Sequence, residues 1–208
     1  IPQSTSKIKI DFKNKKRIIS FVGKLNSSKG YDVFGKAVTK ILDEFTDWSS
    51  VVIGDEPREK IIFNHKNLKL YGFKKNSFIL NLLKKTSISV VPSRWDEPFG
   101  RSSLEASSRG CALIISNKGG LTETTKSALI LDNVDEIEIY EKIKSLILNK
   151  QFRLKLQKNA YSNFFLTNEY VSKLIDNLRI SVFNSLNSKK NIKILHITNL
   201  NERFDGRL

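Results

Sequence analysis

The sequence predicts an α/β fold: a Rossmann-like parallel sheet with helices on both faces and a C-terminal helical extension. Two observations carry the sheet. Short, near-continuous apolar runs recur along the chain, and stretches of helical periodicity stand between them. A strand apolar on both faces belongs in a sheet covered on both sides, and the intervening helices are the crossovers that parallel strands require. The third observation is that residues 134 to 187 keep a helical pattern throughout, which makes the extension.

In chain order, "RIISFVG" (17–23) is the first strand, β-branched and ending in Gly. Residues 31 to 45 then place Val33, Phe34, Ala37, Val38, Ile41, Leu42 and Phe45 at helical spacing. "SSVVIG" (49–54) and "NLKLYGF" (67–73) are the second and third strands, and "SFILNLLKKT" (77–86) is an amphipathic helix. "SISVVPS" (87–93) is the fourth strand, stopped by Pro92. "RSSLEASSRG" (101–110) is a short helix for which Gly110 is a suitable C-terminal cap. "CALIIS" (111–116) and "SALIL" (127–131) are the fifth and sixth strands, with "NKGG" as a turn after the fifth. In the extension Ile137, Tyr140, Ile143, Leu146 and Ile147 form one stripe.

These elements make residues 1–183 one domain. Residues 184–191 ("NSLNSKKN") are linker-like, and 192–208 opens with a new buried strand, "IKILHITNL". That strand either starts a following α/β domain or joins the first sheet's edge. The 208 residues contain no Met and open on "IPQSTSKIKI", with neither a charged start nor an apolar h-region, so the chain reads as part of a longer one.

Composition excludes several classes. No run of 18 apolar residues exists, so no transmembrane helix is expected. A single cysteine, Cys111, allows no intrachain disulfide, and its place at the head of an apolar run marks it as buried and inert. One Cys and two distant His give no metal cluster. The net charge of +15 suits a phosphate-bearing partner, or is a solvated surface from a Lys-rich composition. The lysines are dispersed and no basic recognition helix is visible, so a nucleic-acid partner is not expected. Neither a G-x-G-x-x-G nor a G-x-x-x-x-G-K-S/T loop follows the first strand.

In an open parallel sheet, ligands bind at the carboxyl ends of the strands. Five strands in succession end there in glycine or polar residues: Gly23, Lys24 and Lys29-Gly30, then "GDEP", "GFKK", "PSRWDEPFG" and "NKGG". Gly100 followed by "RSSLE" places free backbone N–H groups at a helix start, a ready anion site. Ser102 and Ser103 add hydroxyls, and Lys24 and Lys29 add positive charge. Glu105 is placed in the first turn, either as one half of an S-x-x-E capping box with Ser102 or as a ligand group. Glu97, in the loop before Pro98, is either surface charge or the other end of the same site.

Taken together, "FVGKLNSSKG", "VVIGDEP", "LKLYGF" and "VPSRWDEPFGRSSLEASSRGCALIISNKGGLTE" resemble the C-terminal domain of the retaining glycosyltransferases of the large GT4 family, which have the GT-B fold. The resemblance covers residues 18 to about 180. It includes the family's Glu-x7-Glu motif at Glu97 and Glu105 and its Gly-Gly-x-x-Glu turn. It implies a hexosyltransferase-type enzyme that takes a nucleotide-diphosphate sugar of UDP or GDP type and passes the sugar, with retention, to a glycan or lipid-linked acceptor. Lys24 and Lys29 would bind the diphosphate and neutralise leaving-group charge, which with Glu97 makes them the catalytic residues. Backbone amides of Gly100, Arg101 and nearby residues would hold phosphate oxygens at the helix start, and Gly23, Phe99, Ser102, Ser103 and Leu104 belong to the same nucleotide-sugar site. Glu105 would hold the ribose, Glu97 would face the transferred sugar and Tyr71-Gly72-Phe73 would border the base. No metal or other cofactor is implied.

Position 24 is usually Arg in that family, and Lys keeps the charge but loses bidentate contact. The resemblance further implies an N-terminal acceptor domain that these 208 residues lack, and without which the chain is expected to be inactive. "KILHITNLNERFDGRL" is similar to the start of such a domain, so a tandem parent is expected. Envelope-polysaccharide synthesis, a cytoplasmic location and peripheral contact with the inner membrane face complete the expectation. A non-catalytic nucleotide-binding module is the alternative.

Overall fold

The computed structural model describes residues 2–188. A compact unit extends to Val171, and the described residues beyond it continue a helix. Six strands, β1 (Lys16–Val22), β2 (Ser49–Ile53), β3 (Leu68–Leu70), β4 (Thr86–Val91), β5 (Ala112–Ser116) and β6 (Ala128–Leu131), form one sheet in the order β3-β2-β1-β4-β5-β6. Every pairing is parallel. The helices are α1 (Tyr31–Glu44), α2 (Asn76–Lys85), α3 (Arg101–Ser108), α4 (Glu136–Leu148), α5 (Lys150–Ser162) and α6 (Asn168–Ser188).

The four central strands carry the apolar runs, and most of their residues are buried. Their side chains feed two cores. One holds Ile19, Phe21, Val52, Ile88 and Ile114 with α1 and α4; the other holds Val91, Leu113 and Ile115 with Leu83, Ala106 and Ala160 of α2, α3 and α5. The two cores are what a sheet covered on both faces requires. β3 departs from the sequence expectation. It is three residues long and half-open, with Leu70 exposed, because it is the edge strand among the described residues and lacks a neighbour on its outer side there.

In α1 the predicted stripe is buried as read, apart from Phe45, which caps the helix and is partly buried. The predicted stripe of α4 is wrong in phase at its start. Asp135 caps this helix by accepting from Glu138 N, and the buried positions are Ile139, Ile143 and Leu146, leaving Ile137 exposed. The predicted linker is also corrected in part: α6 runs to Ser188, through its first five residues. The remainder, with the strand expected at 192–200, lies outside the described residues. Among the described residues no helix is long and apolar enough to cross a membrane.

The strand order fixes where a ligand fits. β1 continues outward through β2 to β3, while β4 continues the other way through β5 to β6. The loops leaving the carboxyl ends of β1 and β4 therefore diverge, and a crevice opens between them.

Candidate functional site

A small pocket occupies that crevice. It is lined by Phe21, Val22 and Gly23 from the end of β1, Val91 and Ser93 from the end of β4, and by Lys29, Glu97 and Gly100–Ser102 from the loops. Its volume, about 120 Å³, matches a phosphate-sized group and not a whole nucleotide. A longer ligand would run outward along the rim.

The β1–α1 loop is held rigidly over this pocket. Asn26 accepts from Lys29 N at 3.0 Å and caps the turn Ser27–Lys29. Glu59 accepts from both N and Oγ of Ser27 at 2.9 and 3.0 Å, and Glu56 accepts from Asn26 Nδ2. The Arg58 guanidinium grips Glu56 through two contacts and holds its carboxyl down at about 2, so Glu56 stays an acceptor at any working pH. From the other side Arg94 donates to Ser27 O and to both carboxylate oxygens of Asp32. Gly30 lets the loop come this close. It has φ 70°, and a Cβ there would sit 2.1 Å from Pro92 O at the end of β4. The result is that Lys29 Nζ lies 2.5 Å from Glu97 Oε1. An ammonium has three N–H donors, so this ion pair leaves two for an anion.

α3 begins at Gly100, which N-caps it without a side-chain bond. The helix ladder starts with Leu104 N to Gly100 O at 3.1 Å, so the N–H groups of Arg101, Ser102 and Ser103 have no intrahelical acceptor. Those groups, with the helix dipole, form an anion site beside the pocket. The serine hydroxyls do not contribute to it as expected. Ser102 Oγ donates to Val22 O at 2.7 Å and pins the helix start to β1, while Ser103 Oγ donates to Gly100 O at 2.8 Å within the cap itself, so the backbone amides are left for a ligand.

The capping box is not formed. Ser102 is the second helical residue and Glu105 the fifth, past the first turn. Instead the Glu105 carboxylate, 4% exposed, accepts at Oε1 from Arg101 Nε at 2.8 Å and from Asn76 Nδ2 at 2.6 Å. Leu104 is fully buried with its N–H in the helix ladder and presents nothing to a ligand.

Of the other predicted residues, Gly23, Lys29, Glu97, Gly100, Arg101 and Ser102 meet at the pocket, while Lys24 is exposed on the rim and Phe99 lies in the loop leading to Gly100. Tyr71, Gly72 and Phe73 follow β3 further along the same rim. The Tyr71 ring packs edge-on to Phe78 at 5.2 Å, Lys69 Nζ sits 4.9 Å above it, and Phe73 is 74% exposed. Sequence reasoning missed Arg94 and Asn76, whose roles are long-range contacts. It also missed how the Gly119-Gly120 turn acts: Gly120 N donates to Glu97 O at 2.7 Å. Among the described residues no group of three His, Cys, Asp or Glu is gathered as a metal site would need.

The family described as Glycosyl transferases group 1 matches residues 2–163, which include every site residue named above. The chain belongs to that family. This glycosyl transferase group 1 domain is 30% identical over 170 residues to Spore coat protein SA of Bacillus subtilis, a match covering 72% of the chain and 45% of that relative. The chain thus spans less than half the length of the relative. Among solved structures it is similar to the C-terminal domain of a group 1 glycosyl transferase (LpcC) from Francisella tularensis, at 25% identity and TM-score 0.62, covering 70% of this chain and 82% of that one. The fold also matches Anabaena HepE, solved in complex with UDP-glucose, at 17% identity and TM-score 0.66, covering 82% of this chain and 49% of that one. The glycosyltransferase family and the half-GT-B architecture expected from the sequence are both borne out.

Proposed function

We propose that this domain binds the nucleotide-diphosphate sugar of a retaining glycosyltransferase, with UDP the favoured nucleotide. The observation that carries the reading is the arrangement around the start of α3. Free amides lie at a phosphate-sized pocket, the Lys29–Glu97 pair stands at one side of it and the buried Glu105 carboxylate stands behind it. HepE, which shares the fold, was solved with UDP-glucose; that favours UDP over GDP as the nucleotide here.

In this reading the diphosphate lies on the N–H groups of Arg101–Ser103, with Lys29 beside it and Lys24 approaching from the rim. Glu105 accepts from the ribose hydroxyls, and Tyr71–Phe73 border the base. Glu97 faces the sugar. The bond from the anomeric carbon to the diphosphate oxygen breaks and its electron pair leaves with the nucleoside diphosphate, while the acceptor hydroxyl oxygen bonds to the anomeric carbon and gives its proton to the departing diphosphate. Lys29 and the helix dipole stabilise the charge growing on the leaving group, and Glu97 stabilises the positive charge on the sugar. Such a route needs positioning and preformed charge rather than a strong nucleophile. The acceptor would come from the other half of the enzyme, and protein charge rather than a metal would meet the diphosphate.

Titration calorimetry with UDP, GDP and ADP tests this. The chain is expected to bind UDP most tightly, and Glu105→Ala to weaken UDP binding by about tenfold or more, the loss of hydrogen bonds to a charged acceptor. Absence of binding to any of the three nucleotides would refute the reading.

A further inference from the structure

We infer that Asn76 is a positioning residue for the nucleotide, acting through Glu105; the inference rests on the donor-site reading above. Asn76 is the first residue of α2, on the segment that follows Tyr71–Phe73, and α3 belongs to a different crossover. Its side-chain amide nonetheless reaches across to Glu105 and donates to Oε1 at 2.6 Å, the same oxygen that takes Arg101 Nε. Among the described residues the other carboxylate oxygen, Oε2, accepts from no protein group, and it is not among the buried atoms left without a partner. It therefore keeps a small contact with solvent and is free to accept.

The two donors act differently. Arg101 lies four residues before Glu105 on the same helix and holds the carboxylate along α3. Asn76 holds it from the start of α2, the element that follows Tyr71–Phe73 in the chain. With both donors on one oxygen, the carboxylate is fixed in rotation and presents the second oxygen to a vicinal diol. A carboxylate 96% withdrawn from solvent needs hydrogen-bonding partners, and a fixed acceptor loses less entropy on binding than a free one. Asn suits the position because its amide donates without adding charge. Asp there would face Glu105 with a like charge.

The position also ties two parts of the nucleotide together. A base held near Tyr71 and a ribose held by Glu105 would be joined, on the protein side, by the Asn76–Glu105 bond. The amide therefore sets the distance between the base edge and the carboxylate that accepts from the ribose.

The test is calorimetry on the chain and its Asn76→Ala and Asn76→Asp variants, with UDP and with 2′,3′-dideoxyuridine diphosphate, which lacks the ribose hydroxyls. The wild type is expected to prefer UDP. Asn76→Ala should weaken UDP by about tenfold while leaving the dideoxy compound within about twofold, and Asn76→Asp should weaken UDP at least as much. A purely structural role for Asn76 would lower both affinities together, and that result, or an unchanged UDP affinity, would overturn the inference while leaving the donor-site reading intact. A wild type that binds the two compounds equally would remove the ribose role of Glu105 itself, and the inference with it.

Discussion

Lys15 shows how much a single residue can carry at the end of the molecule opposite the site. It immediately precedes β1, and its Nζ donates to Leu83 O, Thr86 O and Arg109 O at 2.7 to 3.0 Å, with the Cys111 thiol at 3.8 Å. One ammonium thus closes the ends of α2 and α3 onto the starts of β4 and β5. Burial pushes the Lys15 ammonium down from its ordinary value and the Cys111 thiol up, so the cysteine is a buried, inert group as its sequence position suggested. Lys15→Ala would leave those carbonyls short of a donor and is expected to cost about 3 kcal/mol of unfolding free energy. Denaturant unfolding checks it as a lower midpoint at unchanged slope, with UDP affinity unaltered. A midpoint equal to wild type would contradict the role. The sequence could not show it: in "KNKKRIIS" Lys15 stands among three other cations, and only the long-range fold selects it.

The turn after β5 decides where Glu97 stands. Gly119 has φ 52°, and a Cβ on it would sit 2.3 Å from Glu97 O and 2.6 Å from Glu97 N. With the Gly120 N–H bond to Glu97 O, the turn presses directly on the backbone that aims the carboxylate at Lys29. Gly119→Ala should push that backbone away and weaken UDP-glucose binding by about fivefold, while UDP, held through Glu105, changes little. Equal affinities for UDP-glucose in variant and wild type would show that the turn is a connection only. "NKGG" could be read as a turn, but glycine pairs do not announce what they lie against. The S-x-x-E spacing misled for a related reason. Gly100 takes the cap position, which moves Ser102 into the helix and frees Glu105 for Arg101 and Asn76. Similarly, the α4 stripe was misread where the cap, not the apolar count, sets the first buried position.

At the scale of the whole molecule, the sheet class was legible because every central strand is built of apolar and small side chains and is buried on both faces, as only a sheet covered on both sides allows. The order β3-β2-β1-β4-β5-β6 was not, since β1, β2, β4 and β5 are alike in composition and nothing local names a neighbour. That order makes the crevice, and the crevice converts two glutamates eight positions apart into different positions along one cleft: Glu97 beside Lys29 at the pocket, Glu105 behind the helix start beside Asn76. The division of labour between them is the central claim. Calorimetry of Glu97→Gln and Glu105→Gln against UDP and UDP-glucose tests it most directly. Glu105→Gln should weaken both ligands by about tenfold, whereas Glu97→Gln should weaken UDP-glucose and leave UDP within about twofold. If the two variants lose affinity for both ligands alike, or if Glu97→Gln weakens UDP as much as UDP-glucose, the two carboxylates do not divide one donor between them.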